Sequence, residues 1–281
     1  MKILGKLIKY DFSDIGKLIF PFYIGLGVAG IGIRMLLFAL ANNGMDEYLK
    51  FTLTLFQSTL YFVYTLVAIG SVVMLHYGVI VRFHRSVYGN EGYLTNTLPI
   101  STHQIILAKL ITCLSWFIIN AFIILLTFLL IIPLEEIISS KFWENPNFIQ
   151  MIDYLKTALG IQYVLPTIIL FIVFLIFWTI EKVLFLFFCV SVANMTKSYR
   201  ILTGAALFII AGGFLNITKR MILVFTYLYN PSLRLETGNM ALNVVKYIIS
   251  ANTGLIVLTG IVSVILFLTV NYILKNKLNL E

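Results

Sequence analysis

The chain has 281 residues, 60% hydrophobic and 11% charged, with mean hydropathy +0.98, whereas a soluble domain carries about a quarter charged residues. That composition excludes a soluble globular enzyme and makes the lipid bilayer the first partner. The formal charge of +8 would suggest nucleic acid in a soluble protein, but here it sets orientation in a membrane, so no nucleic-acid partner is expected.

At the N-terminus Ile3, Leu4, Leu7, Ile8, Ile15, Leu18 and Ile19 recur at helical spacing while Lys2, Lys6, Lys9, Ser13, Asp14 and Lys17 face elsewhere. The pattern predicts an amphipathic helix over residues 1–17 lying along the cytoplasmic interface, either as a positive anchor or as a moving part. Asp11 and Asp14 interrupt it, so it does not read as a signal peptide.

A span needs about 20 mostly apolar residues. Six stretches qualify, at 18–40, 51–81, 104–132, 161–193, 201–217 and 247–274. The even number puts both termini on one side. The flanks on that side hold eleven Lys and Arg against four Asp and Glu, and the opposite flanks hold seven of each. Positive charge marks the cytoplasmic face, so both termini are expected there, in the cell membrane of a bacterium. Cys113 and Cys189 both fall inside apolar runs and build no disulfide framework.

Span one carries Gly25, Gly27, Ala29, Gly30 and Gly32, and span five Gly204, Ala205, Gly212 and Gly213. Small residues allow close backbone approach, either near a dimer axis or within one subunit. Arg34 is expected near the outer leaflet, where it can snorkel or find a carboxylate. On span two, Thr54, Gln57, Ser58, Tyr61, Thr65 and His76 share an arc of about 100°. Such a face turns toward a cavity or a neighbouring helix rather than lipid, so Thr54, Gln57, Ser58, Tyr61 and Thr65 are candidates for a translocation path.

The apolar run of span two is longer than the hydrocarbon is thick, so its helix projects into the cytoplasm. The connection that follows, residues 82–103, reads RFHRSVYGNEGYLTNTLPISTH. Gly89 and Gly92 break the helix, Leu94 and Leu98 are apolar anchors, and Pro99 disfavours helix at Leu98. Ser101 with Gln104 forms a capping box for span three. A short element held rigidly between two firm helices can receive force. Residues 133–160 form an external loop that includes the adjacent Glu135 and Glu136.

Glu181 and Lys182 interrupt span four. Each costs about 2.5 to 3.5 kcal/mol at mid-membrane, against about 0.3 to 0.6 gained per large aliphatic or Phe residue, so the span still inserts. The two point in different directions, and each needs its own partner. Residues 216–246 are read as an external re-entrant segment. Their apolar core, Met221–Tyr229, follows Lys219 and Arg220 and is too short to cross. The alternative is that span five runs on to Tyr229 with those two cations snorkelling.

An amphipathic N-terminal helix, six spans, the loop EGYLTNTLPISTHQIILAK after span two and a re-entrant segment before span six together resemble the ATP-binding-cassette exporter permeases of the second bacterial type. The likeness covers nearly the whole chain in architecture but is specific in residues only from Glu91 to Lys109. It implies pairing with a second permease copy or paralogue, as homodimer or heterodimer. It also implies a coupling loop, with Tyr88, Glu91, Tyr93, Leu94, Leu98 and Pro99 docking on a separate cytoplasmic ATPase subunit.

The sequence has no GxxxxGK[ST] phosphate loop, since the Gly-Lys pairs at Gly5 and Gly16 lack its other residues. ATP and Mg²⁺ are therefore expected on the partner, with no catalytic residue, cofactor or metal on this chain. His76, His84 and His103 are too scattered to suggest a metal site. The expected function is thus the permease subunit of an ATP-driven exporter of unidentified cargo. Two alternatives stand: an ion-coupled secondary transporter using Arg34, Glu181 and Lys182, or a membrane immunity or assembly factor that sequesters a peptide.

Overall fold

The computed structural model describes residues 2–41, 44–89, 91–97, 99–132, 143–196, 199–229 and 240–276. Every described element is an α-helix: α1 Lys2–Leu40, α2 Glu47–Val87, α3 Gly92–Thr97, α4 Thr102–Ile131, α5 Pro146–Ala193, α6 Arg200–Tyr229 and α7 Met240–Asn276. Six of these contain stretches long and apolar enough to cross a bilayer: Leu4–Leu40, Glu47–Val87, Thr102–Ile131, Leu165–Ala193, Arg200–Tyr229 and Lys246–Asn276. They coincide with the six apolar runs in the sequence. In lipid, backbone N–H and C=O groups have no water to bond, so a helix that satisfies them internally is the form such runs must take.

The chain divides into two compact units, one of Met1–Arg82 with Ile111–Phe142 and the other of Phe83–Leu110 with Trp143–Glu281. In the first, the core is Leu26, Ala29 and Ile33 of α1, Tyr64 of α2 and Ile131 of α4. The Tyr64 hydroxyl, which could not be left unbonded there, lies 3.1 Å from Thr127 Oγ1. The glycines of span one serve packing within this unit. A Cβ on Gly25 would stand 3.2 Å from Val67, and one on Gly30 3.6 Å from the Thr127 carbonyl, while Gly27 faces open space.

The N-terminal stripe departs from expectation. There is no separate interfacial helix over 1–17, because α1 is one helix of 39 residues with Pro21 inside it. Its apolar stripe meets protein: Ile15 and Ile19 are buried, and a Cβ on Gly78 of α2 would touch Leu18 and Ile15. Asp11, only 2% exposed, accepts from Arg82 Nε at 2.6 Å, and Arg82 Nη1 reaches Asp14 at 2.7 Å. Trp116 of α4 stacks on Phe12 at 4.5 Å and donates Nε1–H to the Phe12 carbonyl at 3.1 Å. The later part of the stripe, Ile15, Leu18 and Ile19, therefore packs within this unit instead of facing lipid.

In the second unit α5, α6 and α7 pack on one another. α5 and α6 form an antiparallel hairpin whose register is read from close approaches. A Cβ on Gly204 would meet Ala193 at 3.3 Å, and one on Gly212 would meet Phe185 at 3.4 Å. Two further expectations are corrected here. α5 starts at Pro146, with the Asn145 side chain accepting from the Asn147 N–H as its cap, so 146–160 is helix rather than loop; the part of the external loop at 133–142, with Glu135 and Glu136, lies outside the described residues. α6 is continuous to Tyr229, so no turn interrupts 216–229; the helix is longer, as in the alternative, but Lys219 is buried against Glu181 instead of snorkelling. The remainder of that segment up to 239 lies outside the described residues.

Candidate functional site: the α2–α3–α4 connection

The connection sits on a root of buried aromatic and polar contacts within the second unit. At the end of α2, Phe83 stacks on Phe187 of α5 with centroids 4.1 Å apart and planes 10° from parallel. Both rings are almost wholly buried. Tyr88 packs edge-on against Phe83. His84 Nε2 lies 3.1 Å from Asn194 Oδ1, and Asn194 donates its amide back to the Val190 carbonyl, so α2 is tied to the residue that ends α5. Lys109 of α4 is buried, and its ammonium donates to Ser86 Oγ at 2.6 Å. Thr102, the first residue of α4, donates to Asn271 Oδ1 near the end of α7.

The turn out of α2 is made by local bonds. The Tyr88 and Gly89 N–H groups both donate to the His84 carbonyl, and Gly92 N–H donates to the Gly89 carbonyl at 2.7 Å. A Cβ on Gly89 would lie 3.0 Å from the Arg85 carbonyl, which is why glycine occupies this corner. The capping box is half formed. Gln104 accepts from the Ser101 N–H at 3.3 Å, but Ser101 Oγ pairs with His103 instead of a backbone N–H of the first turn.

On this frame α3 presents Tyr93, Leu94 and Thr97 outward. Tyr93 is 66% and Leu94 68% exposed, Pro99 is exposed, and Glu91 is half-buried; Leu98 lies outside the described residues. Tyr88, expected among the docking residues, is instead buried and belongs to the anchor. Its hydroxyl and that of Ser191 are both buried without a completed hydrogen bond. Burial pushes the Tyr88 phenol up to about 12, with the Ser191 hydroxyl offsetting a smaller part.

The other sequence-predicted residues fall elsewhere. In the first unit, the hydroxyl face of α2 is largely self-satisfied. Thr54 donates to the Lys50 carbonyl, Ser58 to Thr54 and Thr65 to Phe62. His76 Nδ1 lies 2.8 Å from its own helix's Val72 carbonyl. Thr54, Ser58, Tyr61 and Thr65 are exposed, Gln57 is half-buried, and Arg34 is half-buried on α1. In the second unit, Glu181 finds a partner that sequence reasoning had placed in a different segment: Lys219 Nζ lies 2.5 Å from Glu181 Oε2. Lys182 Nζ stands 5.8 Å from the centroid of the Trp178 ring. The signal for the first pairing was present, because residues 181 and 219 are centred on position 200, beside the turn an antiparallel hairpin requires.

Helical elements throughout the described residues and six apolar spans define an all-α, multi-pass membrane protein. No protein-family model, curated protein or solved structure matches the chain. Among the described residues no group of three or more His, Cys, Asp or Glu is arranged to hold a metal ion.

Proposed function

We propose that this chain is the membrane-spanning permease subunit of an ATP-driven exporter, and that the connection from Arg82 to Lys109 couples it to a separate cytoplasmic ATPase subunit. The observation that carries the reading is the contrast within that connection. Two apolar side chains, Tyr93 and Leu94, stand exposed on a six-residue helix, and the roots of that helix are stacked, hydrogen-bonded and buried against α5, α4 and α7. An exposed tyrosine and leucine on a stiff mount suit a partner pocket, since aromatic anchors dominate protein interfaces. A stiff mount passes a partner's displacement to the spans instead of absorbing it. ATP and Mg²⁺ belong to the partner on this reading, and a second permease copy or paralogue completes the translocation path, with both termini cytoplasmic.

The test is co-purification of the full chain with ATPase subunits encoded beside it, followed by vesicle transport. Replacing Tyr93 and Leu94 together by Ser is expected to weaken assembly by roughly tenfold to a hundredfold, as loss of two interface anchors does. Full assembly and ATP-dependent transport by that variant would overturn the reading. The buried Glu181–Lys219 pair favours a second reading, an ion-coupled carrier, which predicts uptake driven by an imposed ion gradient with no nucleotide present.

A further inference from the structure

Charge inside the second unit does not balance. Apart from Glu181, no Asp or Glu occurs at 154–229 or 240–276, which includes all of α6 and α7 and most of α5. Glu181 is fully buried and its Oε2 is taken by Lys219, itself 9% exposed. Lys182 then has no carboxylate left within 154–229 or 240–276. It lies eleven residues before the end of α5, about 16 Å along the helix, too far for a lysine to reach water directly. It does not reach toward that end. The Cα–Cβ bonds of a helix tilt toward its N-terminus, and Lys182 follows that tilt back over the ring of Trp178, one turn earlier. Trp178 is 41% exposed, with exposed Leu175 one turn before it on the same face. Arg220, next to Lys219, differs in being exposed.

The geometry points to a ligand site at Lys182 and Trp178 for an anionic amphiphile, a single negative head group carrying an apolar chain. The ammonium supplies the charge that the head group lacks in hydrocarbon, and Trp178 and Leu175, on the same face of α5 as Lys182, supply an apolar wall for the chain. Glu181 does not repel the ligand strongly, because Lys219 neutralises it. A fatty-acid carboxylate and an anionic phospholipid share this chemistry.

Intrinsic tryptophan fluorescence of the full purified chain reads the site, because brominated chains quench a ring they touch. Three probes are titrated: dibromostearate, brominated phosphatidylglycerol and brominated phosphatidylcholine. The signal of the site is the quenching that disappears in Trp178→Phe, checked by retention of tritiated stearate on wild-type protein. At least one anionic probe is expected to half-saturate at a concentration ten or more times lower than the zwitterionic one; which of the two does so tells a free acid from a lipid. Lys182→Gln is expected to raise that half-saturation about tenfold, while Glu181→Gln combined with Lys219→Met, which keeps Lys182, is expected to retain the preference. Equal quenching by all three probes would overturn the assignment, as would unchanged affinity in Lys182→Gln. Displacement of dibromostearate by inorganic phosphate as readily as by stearate would overturn the amphiphile requirement. No ATPase enters this titration, so its failure and the failure of the proposed coupling are separate results.

Discussion

Removing one member of the Glu181–Lys219 pair is the most severe single change the structure suggests. Lys219→Met leaves the Glu181 carboxylate, fully buried, with Oε1 already lacking a partner and Oε2 losing the Lys219 donor at 2.5 Å. Truncating one side of a buried ion pair costs about 3 to 5 kcal/mol, because the remaining charge loses its compensation without regaining water. Replacing both residues by apolar ones of similar volume is near neutral for the same reason, as no charge then needs compensating. The expectation for this pair is therefore a strong non-additivity: Lys219→Met loses about 3 to 5 kcal/mol, Glu181→Leu loses a comparable amount, and the double variant recovers most of it. Equilibrium unfolding in mixed dodecylmaltoside and dodecyl sulfate micelles, followed by far-ultraviolet circular dichroism, measures all three. If the double variant is as unstable as the sum of the singles, the pair does not compensate itself, and the reason given for the unbroken α6 fails.

Two smaller perturbations test the packing and the anchor. A Cβ on Gly16 would lie 2.8 Å from the Trp116 ring, so Gly16→Val should cost about 1 to 3 kcal/mol by overpacking and shift Trp116 emission, whereas Gly5→Ala, with nothing within 4 Å, should leave both unchanged. Because the folded chain holds the Tyr88 phenol at about 12 against an ordinary 10.0, the native state keeps a proton the unfolded state gives up. Tyr88 thus contributes stability below pH 10 that is lost as pH rises through 12. Tyr88→Phe should remove that alkaline loss. The difference between wild-type and variant tyrosinate absorbance on alkaline titration checks it, and a Tyr88 titration at the ordinary value would contradict its burial.

The six spans were legible because hydropathy and length act locally: a run of about 20 apolar residues in lipid has only the helix open to it. The break between α2 and α4 was legible for the same reason, since Gly89, Pro99 and Ser101 act on their own backbone neighbours. What failed were boundaries set by contacts. Lys219 reads as the end of a span until Glu181 stands opposite, and the N-terminal stripe reads as interfacial until Ile15 and Ile19 prove buried, with Arg82 and Trp116 meeting Asp11 and Phe12 beside them. Tyr88 looked like a surface anchor beside Tyr93. Only the stack of Phe83 on Phe187 decides that one turns in and the other out.

By itself the sequence determined the solvent, the helical class and the number of crossings, because burial of apolar residues and satisfaction of backbone bonds need no knowledge of neighbours. Tertiary structure alone decided which charges cancel and which remain. Coulomb energy and desolvation depend on distances across helices, and residues 181 and 219 become neighbours only when α5 and α6 fold back on each other.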